Sequence, residues 1–414
     1  MREAYKNELA LMPHMLQMER NGVCLDVPLL KKDVDYYFAK LEEVDDQICQ
    51  QLGKEIDVDK GNDLADAIEA AGLSKGFAAT PTGKRSTAKE SLIEAIADPQ
   101  LLGRLLVRGS VATCLRTFMQ PWSLQAQAHG RLYIKWNQIR NYSDTGARTG
   151  RISSSPNLQN IPSTWELLQS RLETVGYALE FPLPNIRQYI VPEPGMTFIG
   201  RDYSGQEMRL LAHFAEGGLL ESLKHDPYRD VHMIAADIAG ITRKVAKTLG
   251  FAVLYGAGSA RVAESLGCSV SEAQSIKKKY LAALPEIKVF QDKLSKAGRT
   301  GNYVTTLGGR QYYVQPPAVV MGIQRTFEYK LTNYMIQGSA ADQTKRAMLT
   351  YAEKAVTGSI VLSVHDQMVV QCPTEDVQFE RGILDYAMNG AFQETLRYKV
   401  ISDEAVGQNF AVLK

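Results

Sequence analysis

The sequence lacks long apolar runs of the kind that cross a membrane. Apolar stretches such as residues 251–255 and 360–362 are far shorter than the roughly 20 residues that a transmembrane helix needs. The first residues, 1–6, also lack the apolar segment of a secretory signal peptide. We therefore expect no membrane association and a cytoplasmic location.

Cysteines are few and none forms a C-x-x-C pair. The five cysteines stand singly along the chain, at Cys24, Cys49, Cys114, Cys268 and Cys372. This distribution indicates neither a zinc site nor a disulfide framework. We interpret them as small buried side chains in a reducing compartment.

The chain also has almost no net charge, with 47 Lys and Arg against 46 Asp and Glu. This balance gives no global attraction to nucleic acid, although an enzyme can concentrate its cations in one cleft. Residues 104–116 show such a bias, because they carry three arginines and no acid. The length of 414 residues predicts two or three core-bearing units.

Apolar periodicity and turn residues predict a mixture of helices and short strands. Helices are predicted at residues 29–52, 89–118, 230–298 and 326–357, the last interrupted near Gly338. Strands are predicted at residues 131–136 and 196–201, the second followed by a helix from Ser204, and hairpins at residues 303–314 and 359–372.

A first acidic motif, G-R-D-Y-S-G-Q-E-M-R at residues 200–209, lies where a predicted strand gives way to a helix. At the end of a strand, Asp202 can point into a cleft and share a metal ion between its carboxylate and its backbone carbonyl. The same residue can instead be a helix N-cap, which is a common position for Asp. The motif alone leaves both interpretations open.

A second acidic motif, V-H-D-Q, joins two apolar strands within residues 359–370. Turns favour Asp, but tight hairpins usually have Gly or Asn at the tip, so His365-Asp366 indicates a functional role. Phosphoryl transfer from a nucleoside triphosphate uses two Mg²⁺ ions roughly 3.5–4 Å apart. Two carboxylates can hold both ions, because Mg²⁺ also binds water and phosphate oxygens.

Residues 243–256, R-K-V-A-K-T-L-G-F-A-V-L-Y-G, place two cations and then two aromatic rings at every fourth position. Arg243, Lys247, Phe251 and Tyr255 therefore share one broad helix face. A triphosphate with its attached base has the same order of anion and flat ring. The alternative is an ordinary amphipathic helix with solvated cations and buried rings. Gly256 is suited to end the helix.

These three segments, in this order, closely resemble the A-family DNA polymerases. That family has D-Y-S-x-x-E-x-R, then R-x-x-x-K-x-x-x-F-x-x-x-Y-G, then V-H-D-E. Further segments also resemble the family: T-G-R-I-S-S at 149–154, P-N-L-Q-N-I-P at 156–162, D-V-H at 230–232, T-L-G-G-R at 306–310 and Q-G-S-A-A-D at 337–342.

The resemblance implies an α+β fold of the right-hand polymerase type, with an antiparallel-sheet palm and helical fingers and thumb. The expected boundaries are a lead-in at residues 1–18, a thumb at 19–120, palm at 121–205, fingers at 206–332 and palm again at 333–414. Magnesium is the implied cofactor, as two ions for which Mn²⁺ can substitute. The implied partners are primer–template DNA and dNTPs.

The resemblance also implies a role for each matching residue. Asp202 and Asp366 hold the metals, with Tyr203 as a further metal ligand. Arg243 and His232 contact the outer phosphates, while Lys247 contacts the inner ones and protonates the leaving pyrophosphate. Phe251 packs on the sugar and base, and Tyr255 closes the base-pair pocket.

Other matching residues are implied to recognise the sugar and the DNA. Glu207 blocks a ribose 2′-hydroxyl, so that dNTPs are the substrates. Arg151 and Gln337 contact minor-groove acceptors, which all four base pairs present at similar positions. The primer–template path is lined by Asn333, His365, Asn157 and Gln159.

The sequence departs from the family at Gln367, where the family has Glu. We expect an active enzyme with weaker metal affinity or a shifted metal optimum. The thumb motif E-R-N-G-V-C-L-D already begins at residue 19, which leaves no room for a proofreading domain before it. We therefore expect a monomer without intrinsic proofreading, served by a separate exonuclease or processivity factor in a bacterial or phage-infected cell.

Two alternatives stay open at this point. A single-subunit RNA polymerase shares the two metal-binding Asp residues, but Glu207 argues against it because such enzymes admit the 2′-hydroxyl. An inactive protein that only clamps primer–template DNA is suggested by Gln367. The presence of Asp202, Asp366 and the cations of residues 243–247 argues against that second alternative.

Overall fold

Short strands and many helices alternate along the chain. The computed structural model describes residues 2–80, 83–162, 164–320 and 322–413. The strands of this part are β1 (Val23–Cys24), β2 (Arg131–Leu132), β3 (Lys135–Asn137), β4 (Ser153–Ser155), β5 (Met196–Tyr203), β6 (Val304–Thr305), β7 (Gln311–Tyr312), β8 (Ala318–Val320), β9 (Ile323–Arg325), β10 (Ser359–Val364), β11 (Gln367–Pro373) and β12 (Ser402–Gly407).

The α-helices of the described residues follow in chain order. They are α1 (Arg2–Asn21), α2 (Val27–Leu52), α3 (Gly61–Ala70), α4 (Lys89–Ala95), α5 (Pro99–Cys114), α6 (Gln120–Ala126), α7 (Glu166–Thr174), α8 (Gln206–Ala215), α9 (Gly218–His225), α10 (Val231–Ala239), α11 (Arg243–Tyr255), α12 (Ser259–Leu266), α13 (Val270–Ala283), α14 (Pro285–Arg299), α15 (Lys330–Lys354) and α16 (Val377–Gly390). A π-helical turn, Leu115–Met119, joins α5 to α6.

A four-stranded antiparallel sheet in the order β10-β11-β5-β12 carries both acidic motifs. Side chains alternate between the two faces of a strand. Tyr203 and Arg201 therefore point to one face of β5, where the Tyr203 hydroxyl donates to the Met388 carbonyl of α16 at 2.9 Å. Asp202 points to the opposite face, which leaves it free of the packing between sheet and helix.

Most predicted elements are confirmed, including the hairpins, the strand at residue 196 and the helices of residues 230–298. Three boundaries were wrong. The expected strand 131–136 is two short strands, because β2 pairs with β1 whereas β3 pairs with β4. The expected helix 89–118 is broken before Pro99, where Asp98 caps α5 through the Leu101 amide. The helix predicted from Ser204 begins at Gln206.

The predicted interruption near Gly338 is also wrong, because α15 runs unbroken from Lys330 to Lys354. Gly338 does not break the helix; it allows another segment to approach the helix backbone closely. A Cβ at this position would lie 2.7 Å from the Thr306 side chain and 2.9 Å from the Tyr312 ring. Glycine therefore lets the β6–β7 hairpin pack directly on the helix.

The described residues contain no helix that is both long enough and apolar enough to span a membrane. The four sheet strands fall in the two stretches predicted as palm, and α8 to α14 fall in the stretch predicted as fingers. The exact domain boundaries stay a prediction. Met1, Pro81, Thr82, Ser163, Met321 and Lys414 lie outside the described residues.

A buried ionic cluster ties α1 to α15. The Glu8 carboxylate accepts a hydrogen bond from the Lys345 ammonium at 2.6 Å and pairs with Arg310. Arg310 also donates to Asp342 at 2.5 Å. The Lys345 side chain is 2% exposed, so Glu8 and Asp342 supply the counter-charges without which two buried cations would be costly.

We predict that Glu8→Gln lowers the free energy of unfolding by about 3 kcal/mol, because it leaves two buried cations short of a negative charge. The matched control is Glu3→Gln on the same helix, whose carboxylate meets Lys6 in solvent at 3.8 Å. An exposed pair of this kind contributes roughly 1 kcal/mol or less. Urea denaturation measures both, and equal midpoints for the two variants would contradict the prediction.

Candidate active site

The pairing of β11 with β5 brings the two acidic motifs together. Gln367 lies opposite Asp202 in the register, so the preceding residue, Asp366, lies at the same end of the sheet. The Tyr203 amide donates to the Asp366 backbone carbonyl at 3.3 Å, which closes this end. His365 and Asp366 form the turn between β10 and β11, and His365 has a positive φ of 56°.

The interpretation of Asp202 as a helix cap is excluded, because the residue that precedes α8 is Gly205, in a left-handed conformation. Asp202 is the second-last residue of β5, and its side chain is exposed to the cleft. The Tyr203 ring is buried on the other face of the sheet, so only the backbone of Tyr203 lies near the carboxylates.

Surrounding protein groups partly desolvate the Asp202 carboxylate, and this raises its pKa well above the ordinary value. The negative charges of Asp366 and Asp403 raise the pKa further. Asp403 lies opposite Asp202 on β12. Two facing carboxylates that repel each other bind a divalent cation favourably, because the cation removes the repulsion. Their oxygen atoms are also the ligands that Mg²⁺ prefers, so this donor set fits the implied ions.

The donor set is small. Among the described residues, no group of three or more His, Cys, Asp or Glu side chains is arranged to hold a metal ion. Two protein carboxylates are compatible with Mg²⁺ where water and substrate phosphates supply the remaining ligands.

Helix α11 presents its predicted face toward the cleft. The Thr242 hydroxyl caps its first turn by accepting from the Val245 amide at 3.4 Å, and Gly256 ends it with a φ of 66°. Arg243, Lys247 and Tyr255 are exposed, and the Phe251 ring lies 6.2 Å from the Tyr255 ring. The opposite face of the helix is buried, as its amphipathic pattern requires.

Gly250 has a packing role inside α11. A Cβ at Gly250 would lie 2.7 Å from the Met208 sulfur of α8. Glycine therefore allows α11 to pack closely on the helix that carries Glu207.

Two of the phosphate-binding candidates, Arg243 and His232, have different surroundings. The Arg243 guanidinium pairs with the Asp230 carboxylate at 2.6 Å, and Asp230 also caps α10 through the Met233 amide at 2.8 Å. Burial lowers the pKa of His232 to about 4, so the imidazole is neutral near pH 7. The His232 Nδ1 atom is buried and has no hydrogen-bond partner among the described residues.

Glu207 lies at the centre of a hydrogen-bond network. Its buried carboxylate accepts from Arg151 and lies 3.4 Å from the Tyr255 hydroxyl. Gln337 donates to the Tyr255 hydroxyl at 2.7 Å. Burial raises the pKa of Glu207, and the adjacent Arg151 charge opposes that rise. Glu207 therefore contacts both Arg151 and Tyr255 in this structure.

These side chains surround one cavity of about 270 Å³. Its lining comprises Arg151, Gly205, Gln206, Glu207, Met208, His232, Phe251, Tyr255, His365 and Asp366. The carboxylate turn, the aromatic residues of α11 and Glu207 thus meet in a single space, although they come from distant parts of the sequence.

The remaining predicted DNA contacts lie in varied surroundings. Gln159 bridges the β10–β11 turn, because it donates to the Ser363 carbonyl at 2.9 Å and accepts from the His365 amide at 2.8 Å. Asn157 is exposed and accepts from the Gln159 amide within its own loop. The Asn333 amide nitrogen is buried without a partner among the described residues, which leaves it available to a ligand.

Sequence reasoning missed three residues at this site. Asp230 was noted only within its motif, and its spacing of 13 residues from Arg243 gives no local sign of an ion pair. Asp403 lies in a strand that the pattern did not reveal. Arg187 lies in a 3₁₀ turn, Ile186–Tyr189, and its positive charge acts on Asp202. No local pattern around these residues indicates the site.

Comparisons with known proteins identify the family of this chain. The sequence profile described as DNA polymerase family A matches residues 29–412. Among curated relatives, the thermostable DNA polymerase I of Thermus filiformis is 30% identical over 396 residues, covering 91% of this chain and 44% of that protein. DNA polymerase I of Deinococcus radiodurans is 30% identical over 413 residues, covering 95% and 40%. The chain thus spans less than half the length of these relatives.

A solved structure is similar over nearly the whole chain. It is described as the POL domain of Pol1 from M. smegmatis in complex with DNA primer-template and dNTP, with a TM-score of 0.81. The sequence identity is 22%, and the match covers 98% of this chain and 70% of that one. This similarity establishes the fold as that of a polymerase domain, with mixed helices and strands.

We predict that Asp230→Asn strengthens the binding of a nucleoside triphosphate by up to about fivefold, because an exposed ion pair of up to about 1 kcal/mol no longer competes for Arg243. Asparagine keeps the helix cap. Titration calorimetry with a dNTP measures the effect.

The matched control is Asp237→Asn on the same helix, whose carboxylate pairs with Arg229. It should leave the affinity unchanged. A weaker or unchanged affinity in Asp230→Asn would show that Asp230 does not restrain Arg243.

Proposed function

The chain belongs to DNA polymerase family A, and we propose from this membership that it extends a primer 3′-hydroxyl with dNTPs along a DNA template. The observation that carries the proposal is the meeting of Asp202 and Asp366 at one end of the sheet, beside the cavity lined by α11. Primer–template DNA and dNTPs are the proposed partners, in the cytoplasm of a bacterial or phage-infected cell.

Asp202 and Asp366 are proposed to hold two divalent cations. When bound, such ions lower the pKa of the attacking 3′-hydroxyl and neutralise charge on the leaving pyrophosphate. The two carboxylates come from neighbouring strands, so the rigid pairing of β5 with β11 fixes their relative position. Precise placement of this kind is the main contribution that a protein makes to phosphoryl transfer.

Helix α11 is proposed to bind the nucleotide. Arg243 and Lys247 lie on its exposed face and are proposed to attract the triphosphate, with Lys247 as the proposed proton donor to the leaving group. His232 is neutral in the free protein because burial lowers its pKa to about 4, so it is proposed to offer a phosphate a hydrogen bond rather than a positive charge. Arg243 must exchange the Asp230 carboxylate for a phosphate, which couples nucleotide binding to a local rearrangement.

Tyr255 and Arg151 are proposed to change partners during the reaction. Both interact with Glu207 in this structure. A nucleotide that enters the cavity displaces these contacts, so that Tyr255 closes on the base pair and Arg151 can reach the minor groove. Selection of the correct nucleotide is thereby coupled to closure of the site.

Glu207 is proposed to exclude ribonucleotides by occupying the space of a 2′-hydroxyl. Its carboxylate is 6% exposed and lies against the cavity. This feature favours a DNA polymerase over the RNA polymerase alternative. The inactive, DNA-clamping alternative predicts no primer extension at all. One primer-extension assay with dNTPs and with rNTPs therefore separates a DNA polymerase, an RNA polymerase and an inactive protein.

We predict that Asp366→Asn lowers the rate of primer extension by at least about a hundredfold, since loss of a residue that orients a metal ligand already costs ten- to a hundredfold. The same change should leave the melting temperature unchanged or raise it, because it removes repulsion between two facing carboxylates. Glu375→Gln, an exposed acid beyond the other end of β11, is the control. Equal rates for the two variants would contradict the proposed role.

We predict that Glu207→Ala reduces the preference for dNTP over rNTP by about a hundredfold, because it opens space that a buried side chain now fills. Glu207→Gln keeps the volume and should keep the preference. The ratio of kcat/KM values on a primed template measures it, and an unchanged ratio in Glu207→Ala would remove Glu207 from sugar selection.

We also propose that this chain acts as a monomer and does not excise mismatched nucleotides. In this proposal a separate exonuclease or processivity factor supplies those properties. Release of a labelled, mismatched 3′ nucleotide by the pure protein would contradict it.

A further inference from the structure

Gln367 has a specific partner that explains why an amide suits this position. It lies opposite Asp202, but its Nε2 atom donates to the Leu413 backbone carbonyl at 2.5 Å. The side chain is 8% exposed. A carboxylate at this position can only accept hydrogen bonds when ionised, so it could not make this contact.

The C-terminal turn, residues 410–413, lies against the same face of the sheet as Asp202. Leu413 is buried over Gly200, where a Cβ would come within 3.2 Å of the Leu413 side chain. Gly200 precedes Asp202 by two residues on β5, so both point to this face. The turn is thus packed on the sheet face that carries Asp202, over a residue two positions before it on β5.

The same turn supports Arg187. The Arg187 guanidinium stacks on the buried Phe410 ring at 4.5 Å, and the Phe410 amide donates to the Ile190 carbonyl at 2.9 Å. A guanidinium that stacks on an aromatic ring is held in position without losing its charge.

Arg187 is an uncompensated cation. Its Nε atom is buried without a hydrogen-bond partner, and no carboxylate among the described residues forms an ion pair with it. Burial lowers the pKa of Arg187, and the negative charge of Asp202 opposes that change.

We propose that the C-terminal turn is a positioning unit of the active site, in which Gln367 tethers the turn and Phe410 fixes the Arg187 guanidinium, whose charge acts on Asp202. This inference rests on the proposed function. The fixed positive charge offsets the repulsion between Asp202 and Asp366, so the two carboxylates stay side by side. Gln367, Phe410 and Arg187 act through the carboxylates and are positioning residues.

The first test measures the tether without activity. Hydrogen exchange of the intact protein is compared for Gln367→Ala and for Gln371→Ala, a matched buried glutamine on the same face of β11 that bonds to Glu193. We expect faster exchange at residues 186–190 and 408–413 in Gln367→Ala only. Unchanged exchange there, or equal acceleration in both variants, would overturn the proposal.

The second test uses primer extension. We expect Gln367→Ala and Gln367→Glu each to lower kcat about tenfold with little change in the KM for dNTP, which is the pattern for loss of transition-state positioning. Arg187→Lys should retain more activity than Arg187→Met. The double variant Gln367→Ala/Arg187→Met should lose no more than the worse single variant, because both changes act through one unit.

The two tests also separate this inference from the proposed function. An inactive wild-type protein would refute the proposed function. The hydrogen-exchange measurement would still show whether Gln367 tethers the C-terminal turn. Faster extension or a lower Mg²⁺ requirement in Gln367→Glu would overturn the tether and favour the expectation drawn from the sequence, in which the amide weakens metal binding.

Discussion

The site depends on two like charges being held side by side against their mutual repulsion. The hydrogen bonds between β5 and β11 do this, because the register that places Gln367 opposite Asp202 leaves no other place for Asp366. Pairing along the whole length of β5 and β11 holds this register, so the sheet can fix an arrangement that two like-charged side chains would not adopt alone. Burial raises the pKa of Asp202, and the charge of the neighbouring Asp366 raises it further.

Three arginines of the site each interact with a different group in this structure. Arg243 pairs with Asp230, Arg151 with Glu207, and Arg187 with an aromatic face. Arg151 lines the cavity and Arg243 is exposed on α11, so both can exchange partners when an anion arrives. The Arg187 guanidinium stacks on the buried Phe410 ring, so its position is fixed. A fixed charge of this kind contributes a constant electrostatic field at the carboxylates.

Local patterns predicted the parts of the fold whose cause is local. The four-residue spacing from Arg243 to Tyr255 predicted the exposed face of α11, and the two apolar runs around His365-Asp366 predicted the β10–β11 hairpin. The resemblance to a family supplied the meeting of Asp202 with Asp366, which no local pattern encodes. The roles of these residues in binding metal, nucleotide and DNA stay predictions.

What the sequence could not reveal rests on contacts between distant segments. Gly338 looked like a helix break, because its packing partners Thr306 and Tyr312 lie about 30 residues away in the chain. Gln367 looked like a lost charge, because its bond to Leu413 is invisible without the fold. The close packing of α11 on α8 has a similar origin, because a Cβ at Gly250 would lie 2.7 Å from the Met208 sulfur. Since a methionine side chain is flexible and polarizable, this part of the helix interface can adapt to small local shifts without leaving a void.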